Sequence, residues 1–226
     1  MKISAVVTCL NYGDYLAHTV ESLKEFADEL MIVTSPDDIE TTRVCLQHKL
    51  TPLVTRAFQQ YGGPFNKGAA INEGLGWLKR EDWLLIVDAD ILIPSTLRPF
   101  LESHPLDPTR LYGVDRKNCL GYDSFLRCRE SEAWDTLPLM RRVTISGGFP
   151  PPGYFQLFHS SMIPHGPWYE DTYRYADRTD MTFARRFDRR EYLPAWVVHL
   201  DAGTNHVGGT NWRGRKSPSF GSGTSA

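Results

Sequence analysis

At 226 residues, with 41% hydrophobic and 23% charged side chains, the chain has the composition of an ordinary globular protein and is neither disordered nor fibrous. No run approaches the roughly 20 apolar residues that span a bilayer, and the apolar stretch ending at Asn11 is too brief and wrongly flanked for a signal peptide, so the reading is a cytoplasmic protein. The formal net charge of −2 hides an asymmetry: between Arg174 and Lys216 nine basic residues face five acidic ones, a basic third suited to phosphates of a nucleotide or a nucleic acid.

In chain order, Ile3 to Cys9 is a continuous apolar, β-branched run, the pattern of a strand buried on both faces. Asn11-Tyr12-Gly13-Asp14 breaks it, and Leu16, Val20, Leu23 and Ala27 then recur with the spacing of an amphipathic helix. A second strand, Leu30 to Thr34, leads into Ser35-Pro36-Asp37-Asp38, a turn and helix start, with a helix to about Leu46. A short strand near Leu53 to Thr55 precedes the loop at Gly62-Gly63-Pro64. Ile71, Leu75 and Leu78 lie on one helical face after Asn66-Lys67-Gly68, and Trp83 to Val87 forms a buried strand that runs into Asp88.

This alternation predicts a mostly parallel sheet with right-handed crossovers, whose ligands bind outside the carboxyl ends of the strands. Asn11, Asp37 and Asp88 stand at those ends. Beyond Pro94 the pattern gives a helix near Ser95 to Glu102, a strand around Leu111 to Val114, and aromatic, Pro- and Gly-rich loops from Gly147 to Trp168. A helix from about Thr179 to Phe187 and a strand from Ala195 to Leu200 follow, and residues 217–226 read as a flexible tail. The four cysteines, Cys9, Cys45, Cys119 and Cys128, have neither CxxC spacing nor the density of a disulfide scaffold, so reduced, buried thiols are expected.

Two carboxylates one residue apart, directly after a buried strand, project together from the ligand edge. Hard divalent cations in nucleotide sites combine one or two such carboxylates with phosphate oxygens, and Asp88-Ala89-Asp90 has that form. By itself DxD is a short pattern, and a pair of loop caps explains it equally well.

Several segments in order resemble the GT-A glycosyltransferases, particularly the family 2-like group. Val6-Val7-Thr8-Cys9-Leu10-Asn11-Tyr12 resembles its first strand and donor loop, and Asn66 to Leu75 is similar to its Asn-rich helix start. Leu85-Ile86-Val87-Asp88-Ala89-Asp90-Ile91 resembles its DxD strand, and Asp180 to Arg186 its later acidic motif. The likeness implies one GT-A domain over residues 1–216, with a nucleotide-sugar half over 1–94 and an acceptor half over 95–216. It implies a Rossmann-like α/β fold and transfer of a sugar from a nucleotide-diphosphate sugar to an acceptor hydroxyl, with Mn2+ or Mg2+ as cofactor.

Residue by residue, it implies that Thr8, Asn11 and Tyr12 line the nucleotide pocket, that Asp37 or Asp38 reaches the base or ribose, and that Lys67 approaches the base or a phosphate. Asp88 would meet the ribose or the metal, and Asp90 would ligate the metal. His199, ending the last apolar strand, is the further metal ligand, with His206 as competitor; a hydrogen-bonded core histidine is the plainer alternative. Arg213 or Arg215 would pair with the diphosphate. Asp180 is the first candidate for general base and Asp177 the second, although Asp180 also suits a helix cap. Two departures stand out: Thr34-Ser35-Pro36-Asp37-Asp38 replaces the usual Asp-Asp-Gly-Ser type sequence, and Thr179 stands where Glu normally precedes Asp180.

A nucleotidyltransferase expects a Gly-rich phosphate loop after its first strand, which Leu10 to Asp14 does not supply. A non-catalytic nucleotide-sugar-binding module would keep the same pocket. The acceptor stays open among a glycan, a lipid-linked sugar, a protein and hydroxymethylated DNA of the phage type.

Overall fold

The computed structural model describes residues 1–139, 151–176, 178–201, 214 and 219–221. Its strands are β1 (Ile3–Thr8), β2 (Glu29–Thr34), β3 (Leu53–Val54), β4 (Trp83–Asp88), β5 (Ile91–Leu92), β6 (Arg110–Leu120), β7 (Phe155–His159) and β8 (Arg189–Asp201). Its α-helices are α1 (Gly13–Phe26), α2 (Ile39–Gln47), α3 (Lys67–Trp77), α4 (Leu97–Ser103), α5 (Tyr122–Ser131) and α6 (Thr179–Ala184). The strands form one sheet in the order β3-β2-β1-β4-β7-β6-β8-β5.

The first half follows the alternation of the sequence. β1 to β4 are parallel, and Thr8 of β1 stands in register with Asp88 of β4 at their carboxyl ends. Asp38 caps α2 by accepting from Thr41 N (3.0 Å), and Asn66 caps α3 by accepting from Ala69 N (3.0 Å), so both helices start where a short polar side chain replaces the missing intrahelical partner. Along β1, Ile3, Ala5 and Val7 join the core beneath α1, α2, α4 and α5, while Val6 joins the core beneath α3 and α6. The period-2 alternation of a strand thereby fixes which side chains face which helix layer. Leu84 and Ile86 share the α3 face, and Asp88, two residues on, emerges on it.

The second half departs from the expected pattern. The sheet is mixed, with β7 antiparallel to β4 and β6, and β5 antiparallel to β8. β7 lies inside the stretch expected to be loop: Phe155, Leu157 and Phe158 are fully buried, and its Gln156, also fully buried, interrupts the apolar run. β6 runs on to Leu120 and β8 begins at Arg189, and the two pair in parallel past the end of β7. α6 ends at Ala184, and α5 follows β6 unannounced. The part of the tail that is described is docked: Phe220 is 2% exposed, its ring 5.1 Å from that of Tyr15 and 5.5 Å from that of Tyr122. All four cysteines are free and buried. Among the described residues no helix is long and apolar enough to cross a membrane.

Candidate active site

β1, β2 and β4 deliver their last residues to one edge. The turn after β4 reverses the chain so that Ile91 of β5 pairs with His199 of β8, which brings the end of the last strand back beside the two aspartates. His199 Nε2 lies 3.4 Å from Asp90 Oδ2, and its Nδ1 lies 3.2 Å from Asn118 Oδ1. The histidine is thus braced from behind by an amide while its other nitrogen faces a carboxylate, the support that metal-binding imidazoles use. Asp90 Oδ1 is buried and has no hydrogen-bond partner. A buried carboxylate oxygen without a partner is costly, and it leaves this oxygen open to a ligand.

Asp88 turns the other way. Its Oδ1 accepts from Lys67 Nζ at 2.5 Å, the ammonium being delivered by the first residue of α3. Among the described residues no three His, Cys, Asp or Glu side chains converge as a preformed metal cage. The expected trio of Asp88, Asp90 and His199 is therefore a facing pair, Asp90 and His199, with Asp88 held by Lys67. Two protein ligands fit a nucleotide-site cation, which takes its remaining oxygens from phosphate and water.

The charges reinforce one another. Burial draws the Lys67 ammonium down, but Asp88, Asp180 and Asp90 outweigh it and hold the group above its ordinary value. Burial pushes the Asp88 carboxyl up, helped by Asp90 and Asp180 and opposed by Lys67. Burial also works against ionised Asp90, yet His199, Arg116 and Lys67 prevail and keep it below its ordinary value, so Asp90 is a carboxylate at neutral pH.

Asp180 sits in the first turn of α6, whose N-cap position is Arg178. Its Oδ1 accepts from Met181 N (2.9 Å) and its Oδ2 from Gly153 N (2.6 Å). A Cβ on Gly153 would stand 2.8 Å from Asp180 Cβ and 3.1 Å from Lys67 Nζ, so glycine is what lets this backbone slip between the two. Buried Gln156 holds the surroundings together, donating to the carbonyls of Pro151 (2.7 Å) and Asp180 (3.1 Å) while accepting from Tyr169 OH (2.7 Å). Gly68 has a similar role: a Cβ there would meet Glu170 O at 2.0 Å, and Asn66 Nδ2 donates to Asp171 O nearby.

The donor-loop residues divide. Thr8 is buried with its Oγ1 unpartnered, beside Asp88 in register. Asn11 adopts the left-handed conformation (φ 60), which asparagine tolerates, and its N–H donates to Asp38 Oδ2 at 2.6 Å. The same Asp38 carboxylate takes Thr41 N and both threonine hydroxyls, of Thr34 and Thr41, so it ties the donor loop to α2. Asp37 is exposed at the same edge, and the Tyr12 ring is buried 4.9 Å from that of Tyr15. Asp177, His206, Arg213 and Arg215 lie outside the described residues. Sequence reasoning missed Asn118, Gly153 and Arg116; the one signal for Asn118 and Arg116 was a run of polar residues continuing the strand past Val114.

A mixed central sheet with helices on both faces and an acidic strand end is the GT-A type of α/β fold. The model of the family described as Glycosyl transferase family 2 matches residues 4–161, and the chain belongs to that family. An uncharacterized protein of Mycobacterium tuberculosis and one of Mycobacterium bovis are each 28% identical over 114 residues, covering 47% of this chain but only 28% of theirs. Among solved structures, glucosyl-3-phosphoglycerate synthase of M. tuberculosis with Mn2+, UDP and glucosyl-3-phosphoglycerate superposes with a TM-score of 0.53 at 16% identity, over 88% of this chain and 70% of that one. The same enzyme with Mn2+, UDP and phosphoglyceric acid gives 0.51 at 17% identity, again over 88% and 70%. At such identities the likeness is one of fold.

Proposed function

We propose that the protein transfers a sugar from a nucleotide-diphosphate sugar to an acceptor hydroxyl, with a divalent cation held by Asp90 and His199. The observation that carries this reading is the buried, unpartnered Oδ1 of Asp90, whose other oxygen, Oδ2, faces a braced imidazole at the carboxyl edge of the sheet. When bound, the cation offsets the charge that develops on the leaving diphosphate. Asp90 and His199 hold it; Lys67 keeps Asp88 oriented toward the donor pocket that Thr8, Asn11 and Asp37 border. An imidazole ligand favours Mn2+ over Mg2+.

Asp180 is the proposed general base. Asp88 is committed to Lys67 and Asp90 to His199, whereas each Asp180 oxygen accepts one backbone amide and retains a lone pair for an acceptor hydroxyl. The two amide bonds fix its position, so the hydroxyl has to come to it. Residues 1–94 form the nucleotide-sugar half in this account, and the later elements form the acceptor half.

A thermal-shift screen of nucleotide sugars with and without Mn2+ tests the reading, because a ligand at free concentration L that binds only the folded state stabilises it by RT ln(1 + L/Kd) and so raises the melting temperature. UDP-glucose is the first donor to try, since complexes of the fold neighbour contain UDP-glucose and Mn2+. A donor that stabilises only when Mn2+ is present supports the reading. Absence of any Mn2+-dependent shift across the screen contradicts it.

A further inference from the structure

The geometry points to Arg116 as an anion receptor at this edge, a residue that takes a phosphate or carboxylate oxygen of one substrate and so selects substrates by charge. The inference rests on the glycosyl-transfer reading and extends it to a residue outside the acidic motifs. Arg116 lies on β6 two residues before Asn118, so both side chains leave the strand on the same face, and Asn118 reaches His199 across the β6–β8 pairing. The guanidinium lies 4.9 Å over the ring of Tyr154. That ring is itself anchored: Tyr154 O accepts from Asp88 N (3.4 Å), Tyr154 OH donates to Val114 O (2.7 Å), and the adjacent Gly153 N donates to Asp180. Arg116 is therefore held by stacking, on a platform bonded to the Asp88 backbone and, through Gly153, to the Asp180 carboxylate.

Stacking leaves the in-plane N–H donors of a guanidinium uncommitted. Among the described residues Arg116 is half-buried and has no ion-pair partner. Neighbouring cations are engaged: Lys67 with Asp88, Arg110 with Asp107 and Glu191, and Lys117 with the carbonyl of Asp135. The charge is already felt by the Asp90 carboxylate, and the half-exposed guanidinium keeps those donors open to water or to a ligand. Its planar fork matches the paired oxygens of phosphate or carboxylate. That anion has two sources, the donor's diphosphate or an acidic group on the acceptor.

Calorimetric titration separates them, with inorganic pyrophosphate standing for the donor's diphosphate and glycerol phosphate for a phosphorylated acceptor, each on wild type, Arg116→Gln and Arg116→Lys in the presence of Mg2+. The expected result is that Arg116→Gln weakens one probe at least about tenfold, equivalent to about 1.4 kcal/mol. Arg116→Lys recovers only part, because a point charge lacks the bidentate fork. The affected probe names the source. If neither probe loses affinity in Arg116→Gln, or the wild type binds neither, the assignment is wrong. Phenylglyoxal labelling of the wild type guards against a folding defect in the variants: the bound probe should protect the peptide containing Arg116, and unprotected labelling overturns the assignment. Wild-type donor hydrolysis with Mn2+, run alongside, keeps the two ideas apart. Hydrolysis with a silent Arg116 sinks this inference alone, whereas anion binding at Arg116 without hydrolysis sinks the transferase reading.

Discussion

Lys67→Met isolates the ion cluster at the heart of the site. Removing one partner of a buried pair costs about 3–5 kcal/mol, because the remaining charge is stranded. Lys67 retains 10% of its side-chain exposure, but Asp88 retains 33%, so water screens part of the loss and about 2 kcal/mol is expected. For a domain of this size that is a fall in melting temperature of about 4–8 °C. Asp88→Asn strands the Lys67 ammonium in turn, leaving only Asp180 and Asp90 to offset its burial, and should also be destabilising. In the Asp88→Asn background, Lys67→Met should then cost less than half as much. The pH dependence has a definite sign: without Lys67 the folded-state value of Asp88 rises further above 3.8, the folded state holds its proton longer than the unfolded state, and stability falls as pH rises through that window. The Lys67→Met deficit should accordingly be larger at about pH 7 than at about pH 4.5. Chemical denaturation of the four proteins measures all of this. Additivity of the two substitutions within about 0.5 kcal/mol would refute the coupling.

Three further outcomes are expected. Asp180→Asn should lower turnover about 10²- to 10⁴-fold while leaving nucleotide affinity nearly unchanged, as loss of a general base does, and a titration of nucleotide on the same preparation checks the split; turnover near wild type removes Asp180 from the role. Gly153→Ala, whose Cβ would collide with Asp180 and crowd Lys67, should depress turnover more than melting temperature, and full activity would show that the backbone gives way freely. Phe220→Ala, which empties a site lined by the rings of Tyr15, His18, Tyr122 and Phe125, should cost about 3 kcal/mol by urea melts; a change under about 0.5 kcal/mol would mean that the tail contributes little to the core.

The first 94 residues were legible because their strands are continuous apolar runs, their helices carry a 3.6-residue stripe, and Asp38 and Asn66 announce the helix starts with caps. The same patterns placed Asn11, Asp37 and Asp88 at the carboxyl ends of their strands, and the structure adds Thr8 in register with Asp88. β7 was not legible. Its five residues follow a Pro- and Gly-rich stretch and carry a polar Gln156, whose reason for being buried is a three-partner network visible only in the folded chain. The antiparallel insertion of β7 and the pairing of β8 with β6 and β5 depend on long-range contacts that no local signal encodes, and with them went the Asn118 brace and the Arg116–Tyr154 stack. The resemblance implied a contact from Asp37 or Asp38 to the base or ribose; in the fold the Asp38 carboxylate bonds Thr34, Thr41 and the Asn11 amide, while Asp37 is exposed.

The central claim is that Asp90 and His199 hold a divalent cation on which sugar transfer depends. Its most direct test is the metal-dependent rate of donor cleavage, measured with the nucleotide sugar that the stability screen selects, in wild type, Asp90→Asn and His199→Gln, with Mn2+ and then with excess chelator. The account predicts wild-type turnover that disappears with the chelator and returns with Mn2+, and variants slower by at least about 10²-fold whose folds survive, since metal Lewis-acid assistance supplies several kcal/mol of the barrier reduction. Asp90→Asn that keeps its wild-type rate, or a wild-type rate indifferent to the chelator, would contradict it.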